Sequence, residues 1–311
     1  MSIVVTGSIA FDYIMDFPGY FKDHILPDKV HMLSVSFLVE TLRKMRGGTA
    51  GNIAYNLALL GERPRVLATV GQDFGDYRQH LEASGVDTSL IHEVADDYTA
   101  LAFITTDRAD NQITGFYPGA MRRAGELSLA RVAERPELVI VAPNAPEAMV
   151  RYPAECHAQG LPYVFDPGQA LPVLSGEQLV ACMRGARCVI GNDYEMALIA
   201  EKTGYSPEAL LELADVVIVT RGEQGSVIYE RGARWEIPVA PPRQVVDPTG
   251  AGDAYRAGVL RGLLRDEPAP RYGRVASLAA TFAVERYGTQ EHRYTREEFA
   301  ARYREAFGEA F

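Results

Sequence analysis

Asp247-Pro248-Thr249-Gly250-Ala251-Gly252-Asp253 is the stretch on which the reading of this chain turns. Gly250, Ala251 and Gly252 leave the backbone nearly bare, and the apolar run Ala254 to Leu264 reads as a helix with Asp253 in its first turn. A helix start carries unpaired N–H groups and the positive end of the helix dipole, so it attracts an anion. Glycines let a phosphate come close, and a nest of N–H groups then holds it. A carboxylate beside that site would repel the same anion. Its presence makes sense if Asp253 takes a proton from the group that attacks the phosphate. The plainer alternative is a Gly-rich helix start with a dipole-matching Asp.

Outward from this motif, composition bounds the rest. The chain has 311 residues, is 47% hydrophobic and carries a formal charge of −10. That length suits about two domains, or one large α/β domain with an insertion. The acidic balance argues against a nucleic-acid or anionic-membrane surface, but a small nest can still bind a nucleotide. No apolar run reaches the length of a membrane span. Met1 to Gly7 lacks a basic leader and runs straight into a buried-strand pattern, so no signal peptide is expected, and the cysteine usage suggests a cytoplasmic protein. Cys156, Cys182 and Cys188 are odd in number and lack metal spacing, as reduced core thiols would.

From residue 137 the pattern alternates. Strands are expected at 138–141, 163–165, 188–190 and 216–219, with helices over 146–159, 177–183, 194–202 and 207–213. Gly160 reads as a left-handed helix cap. Val216 to Val219 is β-branched and unbroken, as in a strand covered on both faces. The alternation implies a parallel sheet between helices, with ligands beyond the carboxyl ends of the strands. Two stretches break the rhythm. Leu33 to Phe37, within 13–46, alternates like a half-exposed strand, and 99–105 with 112–117 reads as a hairpin around the polar turn 107–111. Together they suggest a small sheet covering a site. The division expected is a large α/β domain from 1–12, 47–97 and 122–311, with a β lid from 13–46 and 98–121.

Other clusters lie just after strands. Arg46-Gly47-Gly48-Thr49-Ala50-Gly51-Asn52 precedes the apolar helix 53–60, where a glycine pair can act as a hinge or a plain turn. Asp12 can accept both hydroxyls of a vicinal diol, and Asn52 can donate to and accept from sugar hydroxyls. Either residue can equally be a cap. Asn192 and Glu195 share a helix face; Glu195 suits a hydrated Mg²⁺, while the pair also spells a capping box. Thr220, Gly222 and Gly225 follow the strand 216–219 and suit a nucleotide's phosphate and ribose, or a simple turn. There is no G-x-x-x-x-G-K-[ST] run and no complete G-x-G-x-x-G, so neither a P-loop protein nor a dinucleotide-dependent dehydrogenase fits.

The glycine pair with its Asn at 47–52 and the run at 247–253 resemble the two signatures of the ribokinase-like (PfkB) family of sugar and nucleoside kinases. The likeness extends over nearly the whole chain. Phe17-Pro18-Gly19, Leu33 to Val39, Phe116 to Met121 and Gly288 to Glu291 resemble bacterial adenosine kinases. The resemblance implies a Rossmann-like three-layer αβα sandwich with a small β-sheet lid. It also implies transfer of the γ-phosphoryl of ATP to the 5′-hydroxyl of a nucleoside, adenosine foremost. Asp253 would be the base, and the amides of Gly250, Ala251 and Gly252 the anion hole. Asp12, Gly48 and Asn52 would hold the ribose. Phe103 and Phe116 would sandwich the purine, with Gln169 at its edge. Asn192 and Glu195 would organise Mg²⁺, Thr220, Gly222 and Gly225 would contact ATP, and Asp247 and Thr249 would serve a monovalent cation such as K⁺. Two positions depart from the family pattern: Pro248 replaces a common Thr, and Ala170 replaces a second Gln. A free-sugar kinase and a catalytically silent nucleoside-binding protein remain as alternatives. The expected state is a monomer or a homodimer.

Overall fold

The computed structural model describes residues 2–25, 32, 34–109 and 111–311. Eight strands make the central sheet. β1 (Ile3–Thr6) sits between β4 (Pro64–Leu67) and β9 (Leu138–Val141), followed by β10 (Tyr163–Phe165), β11 (Ala186–Asn192), β12 (Ala214–Thr220), β13 (Ser226–Glu230) and β14 (Ala233–Ile237). The pairings from β4 to β12 are parallel, and β13 and β14 add an antiparallel edge.

Alternation within the strands builds two cores. Ile3, Val5 and Ile140 face one, packing with helices α1 (Thr49–Leu59), α6 (Ala251–Leu264), α7 (Ala269–Val284) and α8 (Arg296–Phe307), and with α2 (Gly75–Ala83). Val4, Val139 and Val141 face the other, against α3 (Pro146–Gln159), α4 (Gly176–Met183) and α5 (Asp193–Thr203). Each core excludes water from one face of the sheet, which is why these strands read as continuous apolar runs. The result is the expected three-layer αβα sandwich. The helix expected over 207–213 is only a 3-10 turn at Ala209–Glu212. Gly160, at φ 61°, caps α3 in the left-handed region.

α6 and α7 lie unusually close. A Cβ on Gly258 would collide with the backbone of Ala276, and one on Gly262 with the side chain of Tyr272.

A second sheet has the order β3 (Thr41–Gly47), β2 (Ala10–Asp16), β7 (Ala100–Thr106), β8 (Gln112–Tyr117). The expected hairpin is present as β7 and β8, paired antiparallel; Asp110 of its turn lies outside the described residues. The strand expected over 33–37 is not there. Leu33 lies outside the described residues, and Ser34 to Phe37 form no strand. Phe37 instead packs its ring on Phe17 and Phe21 at 4.9 Å, and the strand forms at Thr41–Gly47. Aromatic clustering thus prevailed over local alternation. The expected boundary at residue 12 falls inside β2, which enters the second sheet at Ala10. A third, two-stranded sheet pairs β5 (Thr69–Gly71) with β6 (His92–Val94).

Among the described residues no helix is long and apolar enough to cross a membrane. The three cysteines are free and buried.

Candidate active site

Strand order reverses at β1, since the chain leaves β1 for β4 on one side and β9 lies on the other. Open α/β sheets bind ligands at such a switch point. A cleft of about 630 Å³ opens there, lined by residues that follow β1, β9 and β10, by the N-terminal turns of α1 and α6, and by β2, β7 and β8. A second cavity of about 700 Å³ lies on the far side of the α6 N-terminus, among Thr220, Gly222, Gly225, Val239, Pro241 and Val284.

The decisive motif forms the wall between them. Thr249, Gly250 and Asp253 face the first cavity, whereas Pro248, Ala251 and Gly252 face the second. Gly250 is the N-cap of α6 at φ 82°, a left-handed conformation that suits glycine. One expectation is narrowed: the N–H of Ala251 donates to the Pro248 carbonyl at 3.2 Å, so it is partly engaged in the turn. The first-turn amides of Gly252 and Asp253 carry no such bond among the described residues.

Asp253 accepts a hydrogen bond from Asn52 Nδ2 at 2.8 Å. Burial pushes its carboxyl up to about 6, against the pull of Arg256 and the Asn52 hydrogen bond; Asp166 and Glu195 add to the rise. Asp12, on β2, is likewise pushed up to about 6 by burial. A Cβ on Gly47 would stand 2.5 Å from its Oδ2, so glycine there makes room for the carboxylate. Gly48, at φ 85°, would bring a Cβ to 2.6 Å from the Ala10 amide and the Ser8 carbonyl. Asp12, Gly48, Asn52, Gln169 and Phe116 all line the first cleft.

Phe103 does not line it. Register explains the difference: Asp12, Ala102 and Phe116 are cross-strand partners on one face, while Tyr13, Phe103 and Gly115 share the other. Phe103 stacks on Tyr13 at 5.2 Å and 18°. Of the two phenylalanines expected to sandwich a purine, Phe116 lines the cleft and Phe103 does not.

Asn192 and Glu195 line neither cavity. They form the capping box of α5, with Asn192 N–H donating to Glu195 Oε2 at 2.7 Å and Glu195 N–H to Asn192 Oδ1 at 2.8 Å. Glu195 also lies 3.8 Å from Arg256, and burial raises its carboxyl above the usual range. Its Oε2 is thus occupied, while Oε1 has no hydrogen bond among the described residues. That leaves one oxygen for a metal-bound water, so Glu195 fits a hydrated Mg²⁺. Asp247 fits a cation less well. Its Oδ1 accepts from Thr249 N–H and its Oδ2 from Gly288 N–H, both at 2.9 Å, so the carboxylate already shapes the loop.

Three groups in or beside the site had not been expected. Arg256, one turn beyond Asp253 on α6, makes a two-pronged buried ion pair with Asp166 (Nη2 to Oδ1 2.8 Å). Asp166 directly follows β10. Asn144 follows β9 at the switch point and lines the cleft, with its Nδ2 buried and unpartnered among the described residues. Gln290 donates to Asn52 Oδ1 at 2.8 Å. Their positions after strands were a usable signal for Asp166 and Asn144; Gln290 carried only the motif at 288–291.

Two cavities meet at the N-terminus of α6, with the Asp253 carboxylate on one side, a layout suited to passing an anion from one ligand to another. The model of the pfkB family carbohydrate kinases matches residues 3–296, and the chain belongs to that family: it is an ATP-dependent kinase acting on a hydroxyl group. Its fold is ribokinase-like. The chain is 36% identical over 293 residues to a nucleoside kinase of Methanothermobacter thermautotrophicus, covering 93% of this chain and 91% of that protein. It is similar to a Burkholderia thailandensis nucleoside kinase solved with inosine, at 38% identity, TM-score 0.90 and 99% coverage of both chains. The same kinase solved with ADP-inosine gives 40% identity and TM-score 0.86, covering 99% of this chain and 97% of that one.

Proposed function

We propose that this kinase transfers the γ-phosphoryl of ATP to the 5′-hydroxyl of a purine nucleoside, with adenosine and inosine as the foremost substrates. The observation that carries the reading is the placement of the α6 N-terminus between the two cavities, with Asp253 on one side and Gly252 on the other.

The nucleoside occupies the first cleft. Asp12 accepts from ribose hydroxyls, and the bare backbone at Gly48 lets the sugar sit close. Phe116, 53% exposed, offers a ring face to the base. Gln169 and the unpartnered Asn144 amide face the same cleft and suit the polar edge of a purine. This aromatic and amide lining favours a base over a free sugar. ATP occupies the second cavity, where Val239, Pro241 and Val284 suit an adenine and Thr220 and Gly222 its polar parts.

Asp253 orients the 5′-hydroxyl and accepts its proton, while the first-turn amides of α6 stabilise charge on the migrating phosphoryl. The transition state is loose, so positioning and charge stabilisation dominate. Mg²⁺, bound with the nucleotide, would neutralise phosphate charge, and Glu195 would hold one of its waters through Oε1. A cytoplasmic enzyme of nucleoside salvage is the setting that fits this chemistry. A coupled ADP-release assay across adenosine, inosine, guanosine, cytidine and ribose tests the reading. Turnover confined to ribose would favour the sugar-kinase alternative, and no ADP release with any acceptor would remove the proposal.

A further inference from the structure

Asn52 is useful to Asp253 only in one of its two amide orientations. Its Nδ2 donates to Asp253 Oδ2; turned over, it would set a carbonyl oxygen against the carboxylate. Something must select between the two, and nothing in the asparagine itself does so.

The selection can be traced back through buried polar groups to a main-chain carbonyl. Tyr77, on α2, donates its hydroxyl proton to the Gly47 carbonyl at 2.9 Å. A carbonyl only accepts, so the direction of this bond is fixed, and the hydroxyl's remaining capacity is as an acceptor. Gln290 Nε2 donates to that hydroxyl and also to Asn52 Oδ1 at 2.8 Å. Because Nε2 only donates, Asn52 Oδ1 must face it, and Asn52 Nδ2 must then face Asp253. Tyr77 is fully buried and Gln290 is 1% exposed, so water does not compete. Helix α1 leaves space for the arrangement at Gly51, where a Cβ would collide with the Tyr77 hydroxyl.

We propose that Gln290 and Tyr77 are positioning residues that hold the Asn52 amide in its donating orientation and so tie the Gly47 carbonyl to the catalytic carboxylate. The inference rests on the kinase reading above. Neither residue touches the first cleft, so their effect runs through Asn52. The other charged groups facing this region are Asp12 on β2, Arg46 on β3, His80 on α2, Asp166, Glu195, Arg256 and Arg293. Burial lowers the His80 pKa, helped by Arg46 and Arg293, and outweighs the opposing effect of the Gln290 amide beside it.

The test compares Gln290→Met and Tyr77→Phe with the parent enzyme, using kcat/KM for adenosine or inosine from pH 5 to 9. Losing the oriented donor favours the protonated base, so the acid limb moves to higher pH. The expected displacement is about one unit, the scale of one charge-assisted hydrogen bond. At pH 5.5 kcat/KM falls about tenfold, and the deficit shrinks above pH 8. Tyr77→Phe shifts the limb in the same direction by less, since Gln290 then keeps one of its two partners. A purely structural role would lower the melting temperature and scale activity equally at every pH, which would overturn the proposal. So would an unmoved acid limb in either folded variant. If Gln290→Met fails to fold, Tyr77→Phe decides alone. Failure of the kinase reading is separate: the parent enzyme itself would release no ADP with any nucleoside.

Discussion

Asn52 Nδ2 stands 2.8 Å from Asp253 Oδ2, although 201 positions separate the two residues in the chain. This bond closes the first turns of α1 and α6 over one point of the cleft. It draws together the two glycine-rich motifs that were read separately. The carboxylate is thereby held by a donor while burial resists its ionisation.

Replacing that carboxylate should remove most of the chemistry and little of the binding. Asp253→Asn is expected to lower kcat by about 10²–10⁴, the typical worth of a general base. Nucleoside Kd, measured by calorimetry, should change little. Turnover close to the parent's would take the base role away from Asp253.

Protonation gives a second expectation. A base must be ionised to act, and burial pushes Asp253 up to about 6, as it does Asp12. Below that value activity should fall away, with an apparent acid limb near pH 6 shared by the two carboxyls. Stability runs the other way. A carboxyl whose folded pKa is raised by burial costs stability as pH climbs from the unfolded value of about 4 toward the folded one, and the cost is constant above it. Asp253→Asn should therefore melt higher than the parent at pH 7.5, with the gap closing by pH 4.5. Thermal denaturation at both pH values measures it.

The two phenylalanines of the second sheet should separate cleanly. Phe116→Ala is expected to weaken nucleoside binding by about 1–3 kcal/mol, the range for base–aromatic stacking. Phe103→Ala, on the opposite face against Tyr13, should leave the nucleoside KM near the parent value. Equal losses in KM would mean that both faces of the sheet meet the substrate.

Breaking the buried ion pair tests what supports the site from beneath. Arg256→Met strands Asp166 without its guanidinium, and removing one partner of a buried pair costs about 3–5 kcal/mol. Urea denaturation should show this as a lower midpoint with an unchanged slope. Adding Asp166→Leu to make a double variant should recover much of the loss.

The three-layer core was legible because its strands are unbroken apolar runs between amphipathic helices, a pattern that local spacing carries. Gly160 and the α6 start were legible for the same reason. What failed was long-range. Nothing near Phe103 reveals that Asp12 sits opposite Ala102, and a one-residue difference in register exchanges Phe103 for Phe116 on the cleft face. Ser34 to Phe37 alternated convincingly, but Phe37 found two aromatic neighbours and the strand formed further on. Of the two readings of Asn192 and Glu195, the structure displays the capping box, which engages one carboxylate oxygen of Glu195. Asp166 with Arg256, and Gln290 with Asn52, are pairings between distant segments, invisible until the sheet brings them together.

The tight seam of α6 on α7, where neither Gly258 nor Gly262 has room for a methyl group, bears on how the enzyme must work. A rod wedged that firmly gives no slack for its leading end to travel toward a reactant. If the amides at its tip receive the phosphoryl group as proposed, they would act as a fixed anvil, and tightening around the reacting groups would come from the strands on the opposite bank. Substitutions in that seam, well away from either ligand, would shift the anvil itself and slow turnover without altering a single residue that meets the substrate.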